Sequence, residues 1–458
     1  MGGLSRRNTV IEEHADAVVV DGGASLNKPG PWPADDALQG QRRLKAKLML
    51  DAYALAGIDA MALSASDWQL GSETVREWIE LLELPVLAAN LTCDGAAPYP
   101  GGTVVNAGGR RVGIVGVTEG PVDGCEVSPP APAIAAAVAD LGAVDVVLGL
   151  LPYTDLKGWV AVGAGPVPID IAIDARGRLP VAGADMRADA MVVGAGLRGK
   201  TLGVLRLSFG EEGADWYAAG AAESLAMEVA RAEQRVSGSA GRIESMPEGP
   251  GRELVELQLA AYRDKAARLQ SALDDLDTAG ASLLHIEHVD LKDTVADHEA
   301  TLALVSTAKQ QITTVSGSDP RRFVPRIVSS GPFVGGEACA SCHKSEHLQW
   351  SRTGHARAFG TLVANDSALD EACWSCHVTG AMAEGGPQLP TESAGFRDVQ
   401  CEACHGPGRA HAEDPESVKP VRDPASAVCL SCHDGDRDGG RFDLPTYRAK
   451  VVHTAPAE

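Results

Sequence analysis

The chain has 458 residues, 45% of them hydrophobic, and a formal net charge of −22. That length allows two or more cored domains, and the acidity argues against a nucleic-acid partner, which is gripped mainly by Lys and Arg on phosphate. No run of eighteen apolar residues occurs, since even the Ala/Val-rich 131–151 is cut by Asp140 and Asp145, so no membrane-spanning helix is predicted.

The first 215 residues alternate strand and helix. AVVVD at 17–21 reads as a strand, and 35–56 as an amphipathic helix stopped by Gly57. IDAMALS then reads as a strand, 73–83 as a helix and PVLAANL as a strand. A hairpin crosses Gly108-Gly109 into RRVGIVGVT. Helix 131–141 and strand VDVVLGLL follow, and then the strands IDIAIDA, AMVVGAG and TLGVLRLSF. Such alternation predicts an α/β fold with helices covering a sheet. Cys93 and Cys125 fall in predicted loops, and the spacing leaves open whether they pair or stay isolated thiols.

From 216 to 315 a helical period takes over. Val255, Leu259, Tyr262, Ala266, Leu269, Leu273 and Leu276 form an a/d seam of about three heptads, broken at Gly280. Leu291, Val295, His298, Leu302, Val305 and Ile312 continue on a second helix. The two are expected to fold back as an αα-hairpin, or the seam joins two copies of the chain. His285, His288 and His298 lie in this helical stretch and read as structural, with a metal-ligand role for His298 as the sharper alternative. Residues 316–332 are a Ser/Pro/Gly-rich linker.

Eight of the ten cysteines form four C-x-x-C pairs: Cys339/Cys342, Cys373/Cys376, Cys401/Cys404 and Cys429/Cys432. Each pair is followed at once by a histidine: His343, His377, His405 and His433. A zinc ribbon takes two C-x-x-C pairs per metal and needs no abutting histidine. A redox dithiol would not come in four copies. C-x-x-C-H is the attachment signature of c-type haem. Two thiols a helical turn apart bond the porphyrin edge, and the next residue supplies the proximal imidazole. Four covalently attached haem c groups are expected. Residues 339–433 leave about 24 residues for each, too few for an ordinary protein core. Trp350, Phe359, Trp374 and Phe396 are expected to pack against the macrocycles, with short helices at each motif. Four further histidines, His347, His355, His411 and His453, face the four irons as candidate sixth ligands.

The tail reads FVGGEACASCHKSEHLQWSRTGHARAF, then CWSCHVTG, GF, VQCEACHGPGRAH and CLSCHDG. Over roughly 333 to 453 it resembles the multihaem cytochrome c domain typified by the tetrahaem cytochrome of ammonia-oxidising bacteria. The resemblance implies distal roles for His355, in the T-x-H-A stretch, and His411, after C-H-G-P-G. A terminal Y-x-x-x-V-x-H pattern maps to His453 in TYRAKVVH. The place of His347 is often tyrosine in such sequences, so it is the weakest of the four. One haem of the family can lack a sixth protein ligand, which leaves room for an open iron here.

The order of front-domain segments resembles the metal-dependent phosphoesterase domain of the 5′-nucleotidase family over roughly 2 to 209. The matching pieces are GGLSRR, VVVDGG, the helix before IDAMALS, PVLAANL, RRVGIVGVT and GKTLGVLRL. That family holds two metals through Asp and His segments, which clamp phosphoryl oxygens and activate water. Here the Gly-Asp position reads Gly23-Ala24, and the Gly-Asn-His-Glu position reads Leu63-Ser64-Ala65-Ser66. No histidine occurs between His14 and His285. Asp21, Asp67, Asp155 and Asp174 remain as scattered carboxylates, read as loop or surface residues. The expectation is an α/β metallophosphoesterase-like sandwich without its metals (1–215), a helical connector (216–315), the linker (316–332) and a mostly irregular, partly helical tetrahaem domain (333–458). Function is expected to be electron transfer with redox partner proteins, basic ones suiting the acidic surface. A redox enzyme with one open haem is the second reading, and phosphoester hydrolysis a distant third. Haem attachment implies a periplasmic or secreted site. MGGLSRRNT does not read as a leader, so the natural start is expected to lie upstream.

Overall fold

In the computed structural model, residues 3–153, 167–175, 185–187, 190–194, 199–211, 213–276, 278–317, 331–433 and 442–453 are described. Asp155 and most of the expected linker lie outside them. The front region opens with α1 (Leu4–Glu12), β1 (Val20–Asp21), α2 (Asp36–Ala56), β2 (Ala60–Met61), α3 (Ala65–Trp68) and α4 (Ser72–Leu81). The Asp35 carboxylate caps α2 by accepting from Leu38 N, and Gly57 ends it in the left-handed region at φ 66°. Strands β3 (Leu91–Cys93), β4 (Gly102–Ala107), β5 (Arg110–Gly116) and β6 (Cys125–Val127) follow, then α5 (Pro130–Asp140) and β7 (Val146–Leu151). Gly108 and Gly109, at φ 56° and 75°, form the two-residue turn joining β4 to β5, where a type I′ turn needs positive φ twice. Next come β8 (Ile171–Asp174), β9 (Asp185–Arg187), β10 (Ala190–Gly194), β11 (Thr201–Ser208) and β12 (Trp216–Ala218).

A six-stranded sheet runs in the order β4-β5-β7-β8-β10-β9. Its four central strands are parallel and its two edges antiparallel. Alternation sorts its two faces. Val112, Ile114, Val146, Leu148 and Leu150 bury one way, against Leu205, Leu207, Trp216 and Leu284 of a second sheet. Val115, Val147 and Leu151 bury the other way, against Ala131, Ile134 and Ala137 of α5. The result is an α/β sandwich, as the alternation of strands and helices predicted.

The connector departs from expectation. Its hairpin is built from α6 (Ala221–Glu244) and α7 (Pro250–Asp274), joined by a short loop. The 255–276 seam therefore packs on α6 of the same chain, with Val229 and Ala232 buried opposite Val255 and Leu259. Residues 282–290 are not helical. They form β13 (Ser282–Asp290), paired with β11 and β12 in the second sheet. Ser282 and Leu284 are buried while His285 and Glu287 are exposed, a period of two that only a strand satisfies. His288 Nε2 lies 3.1 Å from Gly194 O. His298 is no seam residue either: it caps α8 (Glu299–Val315), accepting from Thr301 N. That helix packs on α1 and α2 through Val305, Ala308, Leu4, Leu48 and Ala52. Asn8 Nδ2 ties the three together, donating to Ala52 O at 3.0 Å and Thr301 Oγ1 at 2.9 Å.

Beyond residue 331 the helices are short: α9 (Gly336–Ala340), α10 (Lys344–Ser351), α11 (Ala358–Ala364), α12 (Glu371–His377), α13 (Cys401–His405), α14 (Arg409–Glu413), α15 (Ser426–Leu430) and α16 (Leu444–Arg448). A small apolar cluster of Phe333, Phe359, Leu362, Trp374, Val378 and Phe396 centres on α12.

Candidate functional site

The four C-x-x-C-H runs fall into two kinds. α12 and α13 contain the second and third motifs whole, as the expectation of a short helix at each motif requires. The first and fourth motifs also begin in short helices, α9 and α15, but run past their ends. α9 ends at Ala340 and α15 at Leu430, so Cys342 and Cys432 lie beyond their helices, in the turn that follows. The reason is a tightening of the last turn. Cys342 N donates to Cys339 O at 3.2 Å and Cys432 N to Cys429 O at 3.3 Å, bonds across three residues rather than four. The histidine that follows still closes over the same carbonyl: His343 N donates to Cys339 O at 2.9 Å, and His433 N to Cys429 O at 2.9 Å. Each of these two turns carries a serine beside its second thiol, Ser341 Oγ 3.7 Å from Cys342 Sγ and Ser431 Oγ 3.8 Å from Cys432 Sγ. Cys342 is exposed and Cys432 partly so, so both thiols are open to attachment.

None of the eight motif cysteines is in a disulfide, and all are at least partly accessible. Among the described residues no cluster of three or more His, Cys, Asp or Glu side chains converges as a metal-ligand set. Four-ligand zinc geometry is thus not what the fold gathers.

What it gathers is pairs of imidazoles from distant parts of the chain. His343 and His411 have ring centroids 6.1 Å apart, His355 and His433 6.2 Å, and His405 and His453 6.0 Å. A metal held between two imidazole nitrogens, at about 2.0–2.1 Å from each, separates ring centroids by about 6.3 Å. Three of the four attachment histidines therefore have a second imidazole at the separation one iron requires. The protonation pattern fits as well. His405 Nδ1 lies 2.6 Å from Val421 O, His411 Nδ1 2.7 Å from Val418 O, and His377 Nδ1 2.6 Å from Ala358 O. A carbonyl only accepts, so Nδ1 is the donor in each, which makes Nε2 the nitrogen available to a metal. Burial, then neighbouring His433, holds His355 below the usual imidazole range, and burial, then His405, does the same to His453. Neutral rings are the ligating form.

His377 differs. Among the described residues no second imidazole stands at such a separation from it. His347 lies against Trp350, centroids 5.3 Å apart, with Nε2 3.9 Å from Glu337. Burial pushes the Cys373 thiol up, Asp370 adds to this, and Lys45 opposes it.

Glu402, inside the third motif, gave no signal in the sequence, yet it is 4% exposed and central. Its Oε1 accepts from Val334 N at 2.9 Å and Gly408 N at 2.7 Å, and its Oε2 from Gly335 N at 2.7 Å. Gly335 precedes the helix of the first motif and Gly408 precedes the helix of His411. One carboxylate thus fixes both arms of the His343–His411 pair.

Residues 338–406 match the family of cytochrome c554 and c-prime. The cytochrome c-554 of Nitrosomonas europaea is 34% identical over 98 residues, which take in 18% of this chain and 42% of that protein. The chain thus spans less than half the length of this curated relative. The match implies covalently bound c-type haem in the tail.

Solved structures similar to the chain include the sulfate thiohydrolase SoxB of Thermus thermophilus. It is 14% identical, with 75% of this chain and 54% of that one covered, at a TM-score of 0.41. A 5′-nucleotidase precursor from the same organism is also 14% identical, covering 68% and 53%, at a TM-score of 0.43. Likeness at this level carries no inference about activity.

The front-domain carboxylates correct the reading as loop or surface groups. Asp67 and Asp174 are buried, and Asp21 is half-buried beneath Tyr53, whose hydroxyl donates to it. Asp67 is 0% exposed and is satisfied by five donors: Ala24 N, Leu26 N, Asn27 N, Ser64 N and Ser64 Oγ, at 2.8–3.1 Å. Those donors offset the cost of burying the charge, and Ser64 and Asp67 form the capping box of α3. Burial still pushes the Asp67 carboxyl up to about 6. Cys93 and Cys125 sit opposite each other on β3 and β6, joined by a disulfide.

Proposed function

We propose that the protein is a tetrahaem c-type cytochrome of the periplasm or extracellular space. It transfers electrons to and from partner proteins, and its front domain is a catalytically silent docking module. The carrying observation is the set of three imidazole pairs at 6.0–6.2 Å. Cys339/Cys342, Cys373/Cys376, Cys401/Cys404 and Cys429/Cys432 would hold the four groups. His343, His377, His405 and His433 would be proximal ligands, and His411, His355 and His453 distal ones to His343, His433 and His405. Bound haem supplies one-electron redox chemistry, and two fixed neutral imidazoles let the charge change with little rearrangement. The chain's part is to hold the tautomers of His377, His405 and His411 through backbone carbonyls and to keep the rings in place. The Cys93–Cys125 disulfide suits an oxidising compartment, and the net charge of −22 suits basic partners. Among the described residues no helix is long and apolar enough to cross a membrane.

His377, with no opposing imidazole, favours a second reading, in which a small nitrogen or oxygen compound binds at that position. Intact mass, EPR and optical spectra of haem-loaded protein test both. Four haem additions with three low-spin bis-histidine signals and one high-spin signal are expected. A high-spin signal that moves with hydroxylamine or nitric oxide supports the ligand-binding role. Fewer than four additions, or no bis-histidine signals, would defeat the assignment. The front domain, its Asp67 carboxylate committed to five internal donors, is expected to hydrolyse no phosphoester with added Mn²⁺ or Zn²⁺.

A further inference from the structure

The helix carrying Cys373, Cys376 and His377 begins against the front domain. Asp370, 4% exposed, caps α12 by accepting from Ala372 N at 2.9 Å, and it is ion-paired with Lys45 of α2. The Glu371 carboxylate meets Arg42 Nε and Lys28 Nζ, each at 3.2 Å. Between them lies Gln41, 0% exposed, whose amide is fully engaged. Its Nε2 donates to Leu369 O at 2.7 Å and Ser316 Oγ at 2.8 Å, and its Oε1 accepts from Glu371 N at 3.1 Å. Lys309 of α8 donates to Asn365 O at 3.1 Å. Among the described residues, these hydrogen bonds and ion pairs from the front domain and α8 fall on 365–371. They reach the helix of the second motif and not α9, α13 or α15.

The joint therefore holds one motif helix of four, and it is the one whose histidine lacks an opposing imidazole. α12 is only seven residues long, about 10 Å. Two carboxylates and the cations Arg42 and Lys45, all mostly buried, are thus gathered within about two turns of His377, where charge acts at longer range than in solvent, with the exposed Lys28 at the rim. Adding an electron to a nearby iron is favoured by a cation and opposed by a carboxylate.

We propose that the front domain is a clamp on the second attachment motif, in which Lys45, Arg42 and Gln41 fix the N-terminus of α12 and set the reduction potential of the one haem bound there. Lys45, Arg42 and Gln41 are positioning residues: they act through Asp370 and Glu371, not by touching the reacting group. The inference rests on the haem assignment above.

Spectrally resolved potentiometry of the full haem-loaded chain tests it, with intact mass measured first. Lys45→Met leaves Asp370 uncompensated. It should lower the ferrous-to-ferric ratio of the high-spin haem about tenfold at fixed potential, a fall of about 59 mV for a one-electron couple. Asp370→Asn keeps a good cap and should move the same haem the opposite way. Lys45→Arg should restore the wild-type value, and the three low-spin haems should stay put in every variant. If Lys45→Met fails to mature, the Asp370→Asn and Lys45→Arg pair carries the test by itself. Equal movement of all four haems, movement of the two variants in the same direction, or no movement at all would overturn the clamp. A wild-type mass lacking the second haem would overturn the haem assignment and the clamp together.

Discussion

Replacing Glu402 with alanine should unfasten the tail at one point. The carboxylate takes three backbone N–H groups, from Val334, Gly335 and Gly408, in a setting where water cannot easily replace it. Leaving a buried donor unpaired costs about 1–3 kcal/mol, so alanine should cost about 3–6 kcal/mol once partial hydration of the looser donors is allowed for. For a domain of this size about 4 °C of Tm goes with each kcal/mol, which predicts a fall of about 12–24 °C. Glutamine separates charge from geometry. Its carbonyl can sit at the Oε1 position and keep Val334 and Gly408, orphaning only Gly335, so Glu402→Gln should lose about a third as much. Thermal melts of the haem-loaded chain read the order wild type, Gln, Ala. EPR of the same samples should show the His343–His411 signal weakened before the other two. An alanine variant melting within about 2–3 °C of wild type, or loosening all three histidine pairs alike, would refute the reasoning.

Asp67 makes stability depend on pH. Its folded pKa, about 6, lies above its ordinary value of 3.8, so between the two the native state binds a proton the unfolded chain does not. The contribution is fully present below about pH 4 and lost as pH rises through about 6, a loss of about 3 kcal/mol for a shift of roughly two units. Urea midpoints of wild type should fall relative to Asp67→Asn over that window, and parallel profiles would count against it. Removing the Cys93–Cys125 bridge, which closes a loop with a sequence separation of 32, should cost about 3–4 kcal/mol by loop entropy. A Cys93→Ser/Cys125→Ser double variant should show this in urea unfolding of the front domain, with haem spectra unchanged.

How much of this was legible in the sequence follows from the range of the interactions involved. The sheet strands, α2 with its Gly57 stop and the β4–β5 turn are encoded within short stretches, and pattern reading places them. The C-x-x-C-H turns are equally local, although the spacing alone does not say that Cys342 and Cys432 sit past the helix end while Cys376 and Cys404 sit within it. The partner of the 255–276 seam was not legible, because a heptad repeat states that a partner exists without naming it. Residues 282–290 lie between two runs of helical spacing, which hides that the buried Ser282 and Leu284 keep a strand's period of two. The histidine pairings were out of reach too, since they join positions as far apart as His355 and His433. Glu402 gave no signal, and Asp67 showed only as one of several scattered carboxylates. Their roles are defined by backbone N–H groups, which every residue but proline has.

The four motifs are not supported alike. α10, α15 and α16 bury no side chain, and α9 only Gly336. By contrast α12 presents Trp374, 0% exposed, to a cluster with Phe359 and Phe396. On the proposed assignment the other three motifs each gain a second imidazole, which ties a distant segment back across the iron and substitutes for protein packing. The motif without that tie is the one given an apolar core on one side and the ion pairs of α2 on the other. On that assignment, protein contacts would hold α12 where a second imidazole would otherwise have to, and His377 would be the one side chain the chain offers to a haem bound there.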